Sequence, residues 1–433
     1  MQIVFRKKSI SEWSVLFILF MPFVMSFLMD FIGLPNFLKY SIDIAWLCSL
    51  VIMLNRNQQV VDTGVRKLLL CVSIFFGVSL IGFLLNYQSA LYYLWGIRNN
   101  ARFFVYFFAC VFFVRLDSVE HYLAFFDKVY FINFPIVLFQ FFIMGKKQDY
   151  LGGIFGIDKG CNAYTNILLI IVIAKSLLYC LANREKMVNC LIKCAIAILI
   201  AAFSELKAFY VEFIVIVAMA VLLTKSSYRK IWIIIGSMFG VMLGVQLLGM
   251  IFPIFSDWFT FKKIMEIISN NKGYTASNDM NRLTAISIAM ERFLPAWYQK
   301  LFGLGLGNCD YAAYNFLTTP FYKAYSGLNY MWFSSAFLVL ETGLVGMVLY
   351  IFFFIRIFLS AWKMGKADDQ NKIYCQMSMI CSVMCGFLFV LNSSLRTEAA
   401  FMMFFVLALP FVRRNKMAEE AVVSKDKVTE MVQ

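Results

Sequence analysis

Apolar stretches long enough to cross a lipid bilayer recur from one end of this chain to the other, separated mostly by short polar segments. They fall at 13–28, 37–54, 68–85, 103–114, 129–144, 165–181, 188–203, 208–223, 231–252, 330–355, 374–391 and 399–412. A hydrocarbon layer about 30 Å thick needs about 20 residues of helix to span it. Lipid offers no partners to peptide groups, so spanning segments are helices or closed barrels, and the alternating pattern of barrel strands is absent here. With 62% hydrophobic and only 15% charged residues, the 433-residue chain lacks the polar surface a soluble domain of its size requires. The expected fold is an all-α integral membrane bundle of about twelve transmembrane helices.

The placement of Lys and Arg orients that bundle, because basic residues accumulate in cytoplasmic segments. With the N-terminus inside, the cytoplasmic clusters are Arg6/Lys7/Lys8, Arg56/Arg66/Lys67, Arg184/Lys186, Lys225/Arg229/Lys230 and Arg356/Lys363/Lys366/Lys372. An even number of spans also keeps the basic tail inside. No small-residue cleavage site follows the first stretch, so it reads as a retained helix. Residues 1–412 form the expected membrane domain and 413–433 a polar, disordered cytoplasmic tail. The net charge of +14 then reflects loop retention and gives no sign of a nucleic-acid partner.

This topology leaves one long loop, about 253–329, on the opposite face. It holds two amphipathic stretches, WFTFKKIMEIIS and LTAISIAMERFLPAWYQKLF, with apolar residues at helical spacing. A loop of that length with helices of its own is more often functional than a passive connector.

Basic residues on the outer face run against the positive-inside bias. They are Arg98 and Arg102 (four apart, hence on one helical face), Lys146, Lys147, Lys159, Lys207, Arg282, Arg292, Lys300, Lys323 and Arg396. Singly, such side chains snorkel to the interface. Gathered on one face they suit a polyanion, and guanidinium forks fit phosphate oxygens. Asp43, Lys175, Glu212 and Glu341 fall inside spans; each reads either as an internal pair or as part of a proton-coupled pathway. The eleven cysteines are scattered without a CxxC pair or a Cys/His cluster, so neither a metal nor a disulfide framework is indicated. Cys161 and Cys309, both in outer loops, are the one pair whose location permits a bond. The single histidine, His121, falls in a predicted cytoplasmic loop, away from any outer-face chemistry.

From the sixth span onward the order of motifs resembles the O-antigen ligase and polymerase superfamily, in particular the Wzy-type polysaccharide repeat-unit polymerases. The segments that carry the likeness are GGIFGIDKGCNAYTN (152–166), FSELKAF (203–209), NRLTAISIAMERF (281–293), LFGLGLGN (301–308) and ETGLVGMVLY (341–350). Two departures are informative. Ligases of the superfamily carry a histidine shortly before the glutamate of the last motif, and none is present here. Lys207 stands where the family often has arginine, which removes bidentate geometry.

The resemblance implies a GT-C-like enzyme of the bacterial cytoplasmic membrane, performing metal-independent inverting glycosyl transfer on the outer face without a cofactor. Its substrate would be an undecaprenyl-diphosphate-linked oligosaccharide, destined for capsule, O-antigen or exopolysaccharide. The flippase and chain-length regulator of the same pathway would be its partners. By the same resemblance Arg282 and Lys207 are catalytic, with Glu205 and Asp310 beside them, and the outer-face basic residues Arg98, Arg102, Arg282, Arg292 and Arg396 are the expected diphosphate ligands. Gly153 and Gly156, and Gly303, Gly305 and Gly307, form the family's turns. Glu205, Asp279, Asp310 and Glu341 remain open as general base. Trp297, Tyr298, Tyr311, Tyr314 and Tyr330 are candidates either for stacking on sugars or for the interfacial aromatic belt. The competing readings are a ligase-type transferase, a transporter or flippase for lipid-linked sugars, and a non-catalytic scaffold. The transporter reading lacks an internal repeat, and a scaffold would tolerate loss of Arg282.

Overall fold

The computed structural model describes residues 10–55, 62–225, 227–253, 279–312 and 314–412. These residues are helical, with no β-sheet among them. We number the long helices in chain order: α1 (Ile10–Ile32), α2 (Ser41–Asn55), α3 (Thr63–Leu85), α4 (Ala90–Phe113), α5 (Leu116–Phe142) and α6 (Asn162–Leu181). The remainder are α7 (Met187–Phe203), α8 (Lys207–Leu223), α9 (Arg229–Ile251), α10 (Ser334–Ala367), α11 (Lys372–Leu391) and α12 (Ala400–Val412). Eight of them, namely α1, α2 with its preceding turn, α3, α5, α6, α9, α10 and α11, are long and apolar enough to cross a membrane. The chain is a helical membrane protein.

Between helices in lipid, association rests on close packing and hydrogen bonds rather than on expulsion of water. The central elements are α6 and α12, both almost wholly enclosed; α12 is apolar on every side, whereas α6 also buries Asn166 and Lys175, each with a partner. Phe104 packs edge-on to Phe353 with ring centres 5.0 Å apart, and Phe103 and Phe404 join the same aromatic seam between α4, α10 and α12. By contrast α9 lies at the periphery, with Trp232 and Phe239 exposed.

Two irregular segments enter the bundle, and each is satisfied by protein, as backbone at membrane depth must be. The first is the loop after α5. Gln140 donates to Gly153 O and accepts from Gly153 N, both at 2.7 Å, and Asn133 accepts from Ile154 N at 2.7 Å. Gly153 has φ +63, and a Cβ there would strike Asn133, so only glycine fits. The second is the turn Gly303–Gly307, wedged between α3, α4 and α10. Leu304 N and Gly305 N donate to Leu340 O and Glu341 O at 2.7 and 3.0 Å. Gly303 faces the backbone of Glu341 and Thr342, Gly343 faces that of Leu301 and Phe302, and α10 kinks at Gly343, where φ is 63° and ψ −169°.

The structure revises several expectations. The fourth helix begins at Ala90, not near 103, so Arg98 and Arg102 lie within it rather than ahead of it. The second amphipathic stretch is broken into Ala285–Ile288, a π-turn at Ala289–Phe293 and Trp297–Phe302. Pro295 interrupts it because proline cannot donate to a helix interior. The first amphipathic stretch and the tail lie outside the described residues. His121 is an exposed residue on α5, not in a loop. Cys161 and Cys309 are both free thiols.

Candidate functional site

The expected outer basic residues separate into two groups at the end of the bundle where α6, α8 and α12 begin. The first group centres on α4. Arg98 and Arg102 share a face, and each meets a carboxylate brought from a distant segment. Arg98 contacts Asp43 of α2 at 2.5 Å and lies over the rings of Trp95 and Tyr40 at 4.7 and 5.4 Å. Arg102 pairs with Glu398, just before α12, at 2.8 Å and also donates to Arg396 O at 3.2 Å. Arg396 comes from the turn Ser394–Arg396, stacks 3.1 Å over the Phe337 ring and approaches Asp310 at 3.7 Å. Asn99 links the group: it accepts from Arg98 at 2.7 Å and donates to Asp310 at 2.5 Å. Of these, Trp95, Arg98, Asn99, Arg102, Asp310 and Arg396 line a cavity of about 260 Å³, to which Tyr311, Met331 and Thr397 also contribute.

Its electrostatics are dominated by burial in competition with ion pairing. Burial pushes the Asp310 carboxyl above its ordinary value, with Arg396 opposing. Burial also lowers Arg396, and Asp310 opposes that. At Glu398 burial is overcome by Arg102 and by the Tyr164 hydroxyl, which donates at 2.7 Å, so this carboxyl titrates at about 2. Two N–H donors on residues lining the cavity, Trp95 Nε1 and Arg102 Nε, are buried without an acceptor. Among the described residues no group of Cys, His, Asp and Glu could hold a metal ion.

The second group surrounds the start of α8. Lys207 pairs with Glu205 at 2.8 Å, and Glu205 adopts φ +54, a left-handed conformation that few non-glycine residues take. Glu205 Oε2 is buried without a hydrogen-bond partner. Arg282 lies near enough to Lys207 and Asp149 for their charges to interact. Asn162 donates to Asp149 at 3.1 Å and to Ser204 O at 3.2 Å. The two groups flank the first turn of α6, where Asn162 touches one and Tyr164 the other.

Arg98, Arg102, Arg396 and Asp310 therefore converge, whereas Arg282, Lys207 and Glu205 form a neighbouring set. Arg292 is exposed on the π-turn and does not line the cavity. Glu341 lies behind the glycine turn, accepting from Cys309 N at 3.2 Å, and Asp279 accepts from Asn329 at 2.6 Å. Tyr330 is fully buried and donates to Cys309 O at 2.6 Å, which excludes it as a sugar platform; Tyr311 and Tyr314 are exposed. No family model matches the chain, and no curated protein is significantly similar to it. Sequence reasoning missed Trp95, Asn99, Asp149, Tyr164 and Glu398. The only local signal was the polar run RNN inside an otherwise apolar helix.

Proposed function

We propose that this protein is a membrane glycosyltransferase of the polysaccharide-polymerase type, extending a lipid-diphosphate-linked glycan on the outer face of the bacterial cytoplasmic membrane. The observation that carries the reading is the convergence of Arg98, Arg102 and Arg396 with Asp310 around one cavity, from segments hundreds of residues apart. The two buried N–H donors without acceptors call for an acceptor-rich ligand, and a diphosphate is one. In this reading all twelve helices span the membrane, both termini are cytoplasmic, and the arrangement is GT-C-like. The flippase and chain-length regulator of the pathway are its partners.

In the reaction, a sugar hydroxyl of the acceptor attacks the anomeric carbon of the donor glycan. The bond from that carbon to the diphosphate oxygen breaks with inversion, and the hydroxyl proton passes to a carboxylate. Asp310 is the candidate base that lines the cavity. Fixed guanidinium groups stabilise the charge growing on the departing diphosphate more than they stabilise the ground state. Arg282 and Lys207 take the second anionic or sugar segment on the other side of α6.

The test is incubation of purified protein with a lipid-diphosphate-linked repeat unit, products being resolved by length. Wild type is expected to give a ladder, and Arg396→Ala and Arg282→Ala to lower its rate by about 10²–10³. A repeat unit that crosses liposome membranes without being lengthened would replace this reading with the transporter one. The pairing of Asp43 with Arg98 and of Lys175 with Asp127 leaves fewer free intramembrane charges for transport than the sequence suggested.

A further inference from the structure

A second cavity, of about 450 Å³, opens at the other end of the bundle, between α5, α6 and α7. Lys175 contacts Asp127 at 2.5 Å and donates to Leu123 O at 2.9 Å. Lys193 contacts the other oxygen of Asp127 at 3.1 Å and Glu185 at 2.8 Å. Each ammonium has three N–H donors, so each keeps one beyond these contacts. Arg184, at the rim, is half exposed and reaches Glu120 only at 3.9 Å. Glu120 itself accepts the hydroxyls of Tyr179 and Tyr374 at 2.8 and 2.6 Å. The wall itself thus holds three cations and two carboxylates, an excess of one positive charge; Glu120, the carboxylate nearest Arg184, lies off the wall and is held by the two tyrosine hydroxyls.

The position of the opening suggests what enters. Phe131 of α5 and Ile192 of α7 line the cavity, yet are 44% and 46% exposed on the outside of the bundle. Lys175 and Lys193 each lie six residues from the ends of their helices, about 9 Å along the axis. That depth is close to the boundary between headgroups and hydrocarbon.

We propose that this cavity binds a phosphoryl group, supplied by an anionic phospholipid that enters laterally between α5 and α7. Its phosphodiester sits against Lys175, Lys193 and Arg184, and an acyl chain runs over Phe131 and Ile192. A single negative charge neutralises the excess, which selects anionic over zwitterionic headgroups. The site is independent of the proposed transferase activity.

Native mass spectrometry of the detergent-solubilised protein, offered phosphatidylglycerol or phosphatidylcholine, tests the proposal. We expect preferential retention of phosphatidylglycerol, weakened about fivefold in Arg184→Gln, the equivalent of one interfacial charge. Arg184→Gln leaves Glu120 with its two tyrosine hydroxyls, and Ile192→Trp blocks the opening while keeping every ion pair, so neither variant strands a buried charge. Ile192→Trp should abolish retention. Equal retention of the two lipids, unchanged retention in Ile192→Trp, or displacement of the lipid by excess inorganic phosphate would overturn the assignment; the last outcome would mark a site for soluble phosphate.

Discussion

Removing the carboxylate of Glu398 should cost the folded protein about 2–3 kcal/mol, and the structure fixes both the size and the form of that loss. The Arg102 side chain is 6% exposed and that of Glu398 23% exposed, and they meet at 2.8 Å. Glu398 titrates at about 2 in the fold against an ordinary 4.5. At 1.36 kcal/mol per pH unit that gap amounts to about 3 kcal/mol, and the partial exposure of the carboxylate lowers it toward 2. Because the folded value is depressed, the stabilisation is complete above about 4.5 and disappears as pH falls toward about 2. Glu398→Leu leaves a buried guanidinium without its counter-charge, whereas adding Arg102→Met to it removes both charges. The double variant should therefore lose less than the two single variants together. Unfolding in mixed micelles, measured as a double-mutant cycle, reads this directly. Single-variant losses below about 0.5 kcal/mol, or strict additivity, would refute the buried-pair account.

Other outcomes follow from the packing and the site. Gly303→Ala should destabilise by about 3 kcal/mol or more, because its Cβ meets the backbone of Glu341 and Thr342 at ψ −170°; Gly145→Ala, also at positive φ but facing open space, should cost about 1 kcal/mol by the same unfolding assay. Gln140→Leu strands the N–H of Gly153, whose carbonyl keeps Gly156 N at 3.1 Å, and should cost about 1–3 kcal/mol, seen as unfolding at lower denaturant. If Asp310 is the base, polymerisation rate rises with pH through a value above the ordinary 3.8, and Asp310→Asn abolishes both that limb and most of the rate. Since its folded value is raised, wild-type stability conferred by Asp310 should fall across that same range as pH rises, and the asparagine variant should show no such slope.

The predominantly apolar helices, such as α3, α6 and α11, were legible because a long apolar run outweighs the few polar residues inside it, Lys175 of α6 among them. The start of α4 was not. Arg98, Asn99, Asn100 and Arg102 look like a loop when read along the chain, yet inside a bundle Arg98, Asn99 and Arg102 each find a partner from another segment, and Asn100 bonds back to Gly96 O in its own helix. Asp43 was visible as an intramembrane charge, but its partner lies 55 positions away, and Glu398 is 296 positions from Arg102. Separations of that kind carry no local pattern. The kink at Gly343 was hidden for a different reason: ETGLVG is compatible with a straight helix, and the backbone of Leu301 and Phe302 that lies against the kink comes from another segment. The glycine turn itself was visible, while the neighbours that demand its glycines were not.

The three arginines around the cavity are balanced by Asp43, Glu398 and Asp310, so the resting site is close to neutral and does not by itself attract a diphosphate strongly. Two of the pairs are short. The third, Arg396 with Asp310 at 3.7 Å, is the loosest, and Asp310 is also the carboxyl that burial pushes toward its protonated form. On the proposed mechanism this is where the charge balance changes. A proton taken by Asp310 from the attacking hydroxyl removes one negative charge beside Arg396 as the departing diphosphate becomes more negative. The guanidinium then has no competing carboxylate, and its stabilisation is directed at the transition state rather than at the bound substrate. The near-neutral site is thus compatible with an anionic leaving group, because the base and the cation that serves the leaving group are partners before the reaction begins.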